Sequence, residues 1–140
     1  MVPLKFGGDE SNGGALNFDV TDAQLNQRVV QVSCTCDAFC ALLSDGSIQV
    51  WGEESYGGVL NNGVTANDPK NKVVRVFSND GAFCALLHDG SVKVWVDAES
   101  GGAMNKNITV ALTKNVTQIF STMYAFCAFL NDCSVKVWGS

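Results

Sequence analysis

A sequence block that occurs three times, at intervals of about 44 residues, constrains the fold of this chain more than any other feature. A valine-rich segment precedes each copy, and the three copies run from Phe39 to Trp51, from Phe83 to Trp95 and from Phe126 to Trp138. Glycine pairs recur at the same interval, at Gly13-Gly14, Gly57-Gly58 and Gly101-Gly102. Repeats of this length are typical of arrays in which each unit buries its apolar surface against its neighbours. The sequence therefore predicts three stacked units of one kind.

Each unit is predicted to be β-structure with at least three strands. Short runs of valine, isoleucine, phenylalanine and tryptophan alternate with aspartate, glycine and asparagine, which is the pattern of strands joined by tight turns. The Asp45-Gly46 and Asp89-Gly90 pairs predict hairpins with a two-residue turn, because such turns need positive φ angles. Cys133 replaces this glycine in the third unit. We therefore expect the third turn to differ or to be strained.

The predicted organisation is a single all-β repeat domain over residues 1–140. The repeats are expected over about residues 8–51, 52–95 and 96–139, after a remnant strand over about residues 2–7. The recurring aromatic and cysteine positions are predicted to form the structural core of the repeats: Phe39, Cys40, Trp51, Phe83, Cys84, Trp95, Phe126, Cys127 and Trp138. The cysteines at these positions are interpreted as small buried hydrophobic residues and not as disulfide partners.

The charge of the chain weighs against nucleic acids and anionic membranes as partners. Nine lysine and arginine residues stand against fourteen aspartate and glutamate residues, which gives a net charge of −5, whereas binding to phosphates needs clustered positive charge. No stretch approaches the roughly 20 apolar residues of a membrane-spanning helix. The sequence thus predicts a soluble protein, intracellular or organellar in preference to secreted, and leaves the compartment open.

Catalysis is not expected of this chain. His88 is the only histidine and stands just before a predicted turn, so no arrangement of a nucleophile with an adjacent base is evident. Cys34, Cys36 and Cys40 lie close together in the sequence, but their spacing is not that of a zinc site. We therefore expect no enzymatic activity, no cofactor and no bound metal.

The loops that precede the glycine pairs carry acidic residues at equivalent positions. In stacked repeats these loops would emerge on one rim and form a negative surface. This surface is the candidate partner-binding site, with an aromatic anchor in its second loop, and its residues are Asp9, Glu10, Glu53, Glu54, Tyr56, Asp97 and Glu99. It would suit a basic partner or weak Ca²⁺ binding. The alternative is that these loops only keep the array in solution.

The order of these motifs resembles the repeat of the regulator of chromosome condensation family. The matching motifs are Ala-Phe-Cys-Ala-Leu-Leu, Asp-Gly-Ser and Val-Trp-Gly, followed by a loop that ends in Gly-Gly. The resemblance extends from about Lys5 to Ser140, with phenylalanine at three positions where the family usually has histidine: Phe39, Phe83 and Phe126. Together with the related bacterial β-lactamase inhibitor propeller, it implies that each repeat is about one blade of a seven-bladed β-propeller.

Three blades cannot close a seven-bladed ring, so we expect a partial or open propeller, or a closure with three-fold symmetry. The end blades of an open array expose strand edges and apolar faces. Protein partners or self-association are therefore expected to cover them, and the expected function is that of an interaction scaffold or accessory subunit. The resemblance also implies two alternatives, which are guanine-nucleotide exchange on a small GTPase and enzyme inhibition through blade loops.

Overall fold

The computed structural model describes residues 29–61, 63–96, 100, 104 and 112–139. These residues form nine strands and a short 3₁₀ turn over Glu54–Tyr56. The strands are β1 (Val29–Cys34), β2 (Ala38–Leu43), β3 (Ile48–Gly52), β4 (Val73–Ser78), β5 (Ala82–Leu87), β6 (Val92–Val96), β7 (Val116–Ser121), β8 (Ala125–Leu130) and β9 (Val135–Gly139). The predicted remnant strand over about residues 2–7 lies outside the described residues.

The strands form three antiparallel sheets, and each sheet falls within one copy of the repeat. Strands β1–β3 form sheet 1, β4–β6 form sheet 2 and β7–β9 form sheet 3, with the strands of every sheet in chain order. The registers are equivalent, because the phenylalanine of each second strand pairs with the tryptophan of the third. The rings of these pairs stack with centroids 5.5, 5.1 and 5.7 Å apart. The predicted all-β repeat fold is confirmed.

The turn between the second and third strands has three residues, so the predicted two-residue turn is wrong. In sheet 1 the amide of Gly46 donates to the carbonyl of Leu43 at 3.0 Å, and the amide of Leu43 donates to the carbonyl of Ser47 at 2.9 Å. Gly46 has a φ of 80°, whereas the φ of Asp45 is not positive. This is a type I turn followed by one left-handed residue, which is the common three-residue hairpin.

The aspartate of each turn explains why only one left-handed residue is needed. Through Oδ1, Asp45, Asp89 and Asp132 each accept the backbone N–H of the serine two residues later, at 3.0, 2.8 and 2.9 Å. Such a bond fixes the aspartate within the turn. In sheet 3 the left-handed residue is Cys133 at φ 69°, and it makes the same turn hydrogen bonds as the glycines. The third turn thus keeps the shape of the others and holds a strained residue.

The sheets stack in chain order, and each sheet has a front face toward the next sheet and a back face toward the preceding one. The front face of sheet 1, which carries Cys40, Leu42, Ile48 and Val50, packs on the back face of sheet 2. The front face of sheet 2 packs in the same way on sheet 3. The back faces share one pattern of side chains: Val76, Phe83, Ala85, Leu87 and Trp95 in sheet 2, and Ile119, Phe126, Ala128, Leu130 and Trp138 in sheet 3.

Side-chain hydrogen bonds join the first strands of adjacent sheets. Gln31 in β1 holds the backbone of Val76 in β4, because its Nε2 donates to the Val76 carbonyl at 2.7 Å and its Oε1 accepts the Val76 N–H at 3.1 Å. The Ser33 hydroxyl donates to the same carbonyl at 3.1 Å. Between sheets 2 and 3, the Ser121 hydroxyl donates to the carbonyl of Ser78 at 2.9 Å. The first strands are therefore fixed against one another by polar contacts as well as by packing.

A series of backbone hydrogen bonds also runs across the turns between the first and second strands. The N–H of Cys36 donates to the carbonyl of Asp80 at 3.0 Å, and the N–H of Asp80 donates to the carbonyl of Met123 at 3.2 Å. These three residues occupy equivalent positions in the repeats. Because each N–H is directed to the next sheet, the stacking has a direction.

The stack is an open, partial propeller and not a ring with three-fold symmetry. In the part of the chain that the structure describes, the front face of sheet 3 packs against no other sheet. A closed arrangement of three blades would cover that face with sheet 1. Of the two expected alternatives, the described residues therefore form the open propeller and not the closure with three-fold symmetry.

Candidate functional site

The predicted core positions mostly lie between the sheets. Phe39 and Cys127 are partly buried, and the other predicted core side chains are at most 6% exposed: Cys40, Trp51, Phe83, Cys84, Trp95, Phe126 and Trp138. All six cysteine thiols are free. Burial raises the pKa of the Cys40 and Cys84 thiols, which makes these thiols poor nucleophiles.

The acidic loop after β3 is the part of the predicted binding rim that the structure describes. Glu53 and Tyr56 are half-buried and Glu54 is exposed. These three side chains line a groove of about 560 Å³ together with Ser55, Asn61 and Val96. No described basic residue lines the groove, so its charge is negative. The other predicted rim residues lie outside the described residues: Asp9, Glu10, Asp97 and Glu99.

This loop is held against both sheet 1 and sheet 2. The Thr35 hydroxyl donates to the carbonyl of Tyr56 at 2.8 Å, and the Tyr56 side chain packs beside the cluster between sheets 1 and 2. Gly57 has a φ of 104°, and a Cβ at this position would lie 2.5 Å from the ring of Phe83. The glycine therefore permits a close approach of the loop to the core. Tyr56 has a structural contact in addition to the binding role predicted for it.

The front face of sheet 3 is an exposed apolar surface that the sequence analysis did not single out. It comprises two rows across the sheet, Phe120–Cys127–Val137 and Gln118–Phe129–Val135. Phe120, Phe129, Val135 and Val137 are 52, 36, 56 and 59% exposed. The residues equivalent to the last three in sheet 2 are buried under sheet 3: Leu86, Val92 and Val94. The sequence does carry a signal for this surface. The third copy of the repeat keeps apolar residues at the positions that the next sheet covers in sheets 1 and 2.

Two polar groups at this surface have equivalents that bridge sheets elsewhere in the chain. Gln118 stands in β7 where Gln31 stands in β1, and its side chain is exposed. Met123 ends the series of turn hydrogen bonds, and its N–H has no acceptor among the described residues. Sheet 3 thus offers the same side-chain amide and the same backbone donor that sheet 1 uses to hold sheet 2.

The turn beside this surface has cysteine, Cys133, where the turns of the other two sheets have glycine. A Cβ on Gly46 would lie 2.6 Å from the Cβ of Lys72, and a Cβ on Gly90 would lie 2.8 Å from the amide nitrogen of Asn115. Both neighbours belong to the following repeat. Cys133 carries a Cβ at the equivalent position, and its side chain is exposed. The glycines of the first two turns are therefore required by the next sheet, whereas no sheet among the described residues follows the third turn.

Other residues that could carry chemistry are scattered over the described structure. His88 is exposed before a turn, and its amide donates to the carbonyl of Lys72 at 2.9 Å. The described residues contain no group of three or more histidine, cysteine, aspartate or glutamate side chains that could hold a metal ion. Among the described helical segments, none is long and apolar enough to cross a membrane. The two surfaces defined above are therefore the candidates for binding.

Comparisons with known proteins identify the fold. No model of a known protein family and no curated protein matches the sequence. Prp20p from Saccharomyces cerevisiae has a TM-score of 0.60 at 20% identity, with 80% of this chain and 31% of that chain covered. The ectodomain of the receptor kinase CR4 from Physcomitrella patens has a TM-score of 0.58 at 17% identity, with 81% and 29% covered. Human WBSCR16 has a TM-score of 0.54 at 20% identity, with 84% and 35% covered.

These likenesses show that the chain has the fold of RCC1-like propeller repeats, since Prp20 is the yeast RCC1 protein. The resemblance predicted from the repeat motifs is therefore confirmed for the fold. The chain spans about a third of the length of each of these proteins. At this level of identity the likeness concerns architecture, and function has to be argued from the surfaces of this chain.

Proposed function

We propose that this chain, with its RCC1-like repeats, is a non-catalytic interaction scaffold or accessory subunit that binds a protein partner. The observation that carries the proposal is the exposed front face of sheet 3, with its four large apolar side chains. Exposed apolar patches of this kind are characteristic of protein interaction sites. Burial of such side chains is worth about 1.5–3 kcal/mol each, so a partner that covers the face gains substantial binding energy.

The solved relatives support a protein as the class of partner. Prp20p binds Gsp1p and histones, and it is also known in complex with Kap60. Because this chain spans only 31% of Prp20p, these particular partners are not carried over to it. Nucleotide exchange on a small GTPase and enzyme inhibition through blade loops remain alternatives. The exposed face favours scaffold binding, because an apolar sheet face suits stable association with a protein partner.

The acidic groove is proposed as a second, smaller contact region for a basic segment of the partner. Glu53, Glu54 and Tyr56 line it, and Asp9, Glu10, Asp97 and Glu99 are proposed to extend the same rim. The double substitution Glu53→Lys with Glu54→Lys should weaken the complex and make its affinity less dependent on salt. The neutral pair Glu53→Gln with Glu54→Gln serves as the matched control and should have a smaller effect. Equal affinity of all three forms would contradict a role for the groove.

The proposal is tested by native mass spectrometry of the tagged chain isolated from its source. The unmodified chain should appear well above its own 14.9 kDa with a reproducible protein companion. Val135→Asp with Val137→Asp should release that companion, because both side chains are exposed and the charges oppose burial. Val74→Asp is the control, since Val74 is 48% exposed in β4 of sheet 2, outside both proposed contact surfaces. Retention of the companion by the Val135/Val137 variant would refute the proposed function.

A further inference from the structure

We infer that a cavity under the loop between β3 and β4 binds a free amino acid with a branched aliphatic side chain. The cavity has a volume of about 160 Å³ and lies between residues 63–71 of this loop and the back face of sheet 2. It shares no lining residue with the acidic groove or with the front face of sheet 3. Binding here would therefore be independent of the proposed protein partner.

The floor of the cavity is apolar. Val73 pairs with Leu87 and Ala85 pairs with Lys93, so these residues share the back face of sheet 2. Val73 is partly buried, and Ala85 and Leu87 are 1 and 6% exposed. The loop places Ala66 at the wall of the same cavity. An aliphatic group that enters it leaves water and packs against apolar atoms, which is favourable.

At the equivalent place between sheets 2 and 3, the chain itself supplies a leucine. The carbonyl of Leu112 accepts the N–H of Val92 at 3.2 Å, as the carbonyl of Ala66 accepts the N–H of Ile48 at 2.8 Å. Leu112 is 1% exposed and belongs to one apolar cluster with the equivalents of the floor residues, which are Val116, Ala128 and Leu130. Ala66, by contrast, is exposed beside a cavity. A branched side chain from a ligand would therefore complete the packing that Leu112 completes in the next repeat.

The mouth of the cavity carries two opposite charges that do not pair with each other. Lys93 and Asp68 both line the cavity, and both are exposed. Asp68 accepts the backbone N–H of Lys70 through Oδ1 at 3.0 Å, which leaves its other oxygen available. Lys93 makes no ion pair with any residue that the structure describes. The two groups can thus bind the carboxylate and the ammonium of one zwitterion.

The charges also define which small molecules the site should reject. A simple carboxylate would be attracted by Lys93 and repelled by Asp68, and a simple amine would experience the reverse. The cavity has the liquid volume of about five water molecules at about 30 Å³ each, which suits a branched side chain and excludes a peptide. Because so small a ligand makes few contacts, we expect a dissociation constant of about 0.1–1 mM.

The test is a titration of the ¹⁵N-labelled chain with L-leucine, followed through the backbone amide shifts of Ala66 and Lys93. These shifts should saturate with a dissociation constant in the expected range. Three matched ligands separate the contributions, because isovalerate lacks the ammonium, isoamylamine lacks the carboxylate and glycine lacks the side chain. Each of them should bind at least about fivefold more weakly than leucine.

Variants of the cavity provide the second part of the test. Ala66→Leu introduces the side chain that Leu112 has in the next repeat, so it should fill the cavity and abolish leucine binding. Lys93→Gln and Asp68→Asn should each weaken binding about fivefold, and the asparagine side chain can still accept the Lys70 N–H. Lys70→Gln is the control, since Lys70 is exposed on the same loop but does not line the cavity. If Ala66→Leu disturbs the loop, the two charge variants still test the site.

Each part of the inference has its own contrary result. No saturable shift with leucine up to about 10 mM, ten times the weakest expected dissociation constant, would rule out the site. Isovalerate or isoamylamine that binds as tightly as leucine would rule out recognition of a zwitterion, and equally tight binding of glycine would rule out a role for the apolar floor. Undiminished binding to both Ala66→Leu and Lys93→Gln would place leucine elsewhere on the chain.

Discussion

Replacement of Cys133 by glycine should stabilise the chain, although it removes a side chain. Cys133 has a φ of 69°, and its counterparts Gly46 and Gly90 have φ values of 80° and 81° in turns with the same hydrogen bonds. The thiol is exposed, so the substitution sacrifices no buried contact. The change therefore isolates the cost of a Cβ in the left-handed region.

The expected gain follows from two opposing contributions. A residue with a Cβ pays about 1–2 kcal/mol in the left-handed region, and glycine loses roughly 0.5–1 kcal/mol more backbone freedom when the chain folds. The central values of these two ranges leave a net increase in the free energy of unfolding of about 0.7 kcal/mol. With a urea dependence of about 2 kcal/mol per molar for a chain of this size, the unfolding midpoint should rise by about 0.2–0.5 M.

Equilibrium urea denaturation followed by tryptophan fluorescence measures this shift. Cys133→Ala is the matched control, since it removes the thiol but keeps the Cβ, and its midpoint should stay close to that of the unmodified chain. Gly90→Ala is the reverse change and should destabilise by more than Cys133→Gly stabilises, because its Cβ also meets the amide nitrogen of Asn115 at 2.8 Å. An equal rise for Cys133→Gly and Cys133→Ala would assign the effect to the thiol and refute the backbone argument.

Three other changes test separate parts of the structure. Gln31→Ala leaves the N–H and carbonyl of Val76 without their partner and should cost about 1–3 kcal/mol in urea denaturation, whereas Gln118→Ala should change stability by less than about 0.5 kcal/mol. Val96→Gly should change the free energy of unfolding by less than about 1 kcal/mol, because relief of the positive φ of 88°, worth about 1–3 kcal/mol, is offset by the lost packing of Val96 on both inter-sheet clusters and by the backbone freedom of glycine; a loss above about 2 kcal/mol would contradict this. Ser91→Ala should raise the pKa of the Asp89 carboxyl in an NMR titration, since the Ser91 hydroxyl is the main cause of its lowered pKa. A lowered pKa in the folded chain gives stability that is present above the ordinary pKa and is lost as the pH falls through the folded value, so Ser91→Ala should also weaken this acid dependence.

The sheets could be predicted from the sequence because their signals are local. Each repeat carries its own valine-rich strand and its own Asp-x-Ser turn, and strand pairing follows from these short-range features. The length of the turn could not be predicted in the same way, because Asp-Gly fits both two-residue and three-residue hairpins. The choice depends on the hydrogen bond that the Ser47 N–H donates to the Asp45 carboxylate, which the sequence does not reveal.

The candidate site could be predicted only where charge marks it. The acidic residues Glu53 and Glu54 are visible in the sequence, whereas the half-burial of Tyr56 depends on how the loop meets sheet 2. Phe129 and Leu86 occupy the same position in two repeats and look alike in the sequence, yet they are 36% and 8% exposed. The difference arises because sheet 3 covers Leu86, whereas no described sheet covers Phe129. Burial in a stack is a property of position along the array, and a repeat motif alone does not encode it.

The direction of stacking also fixes the symmetry of any assembly in which sheet 3 receives the back face of another sheet. A front face that receives a back face is a heterologous contact, which cannot be related by a two-fold axis. Repetition of such a contact would ordinarily give a ring or an open filament.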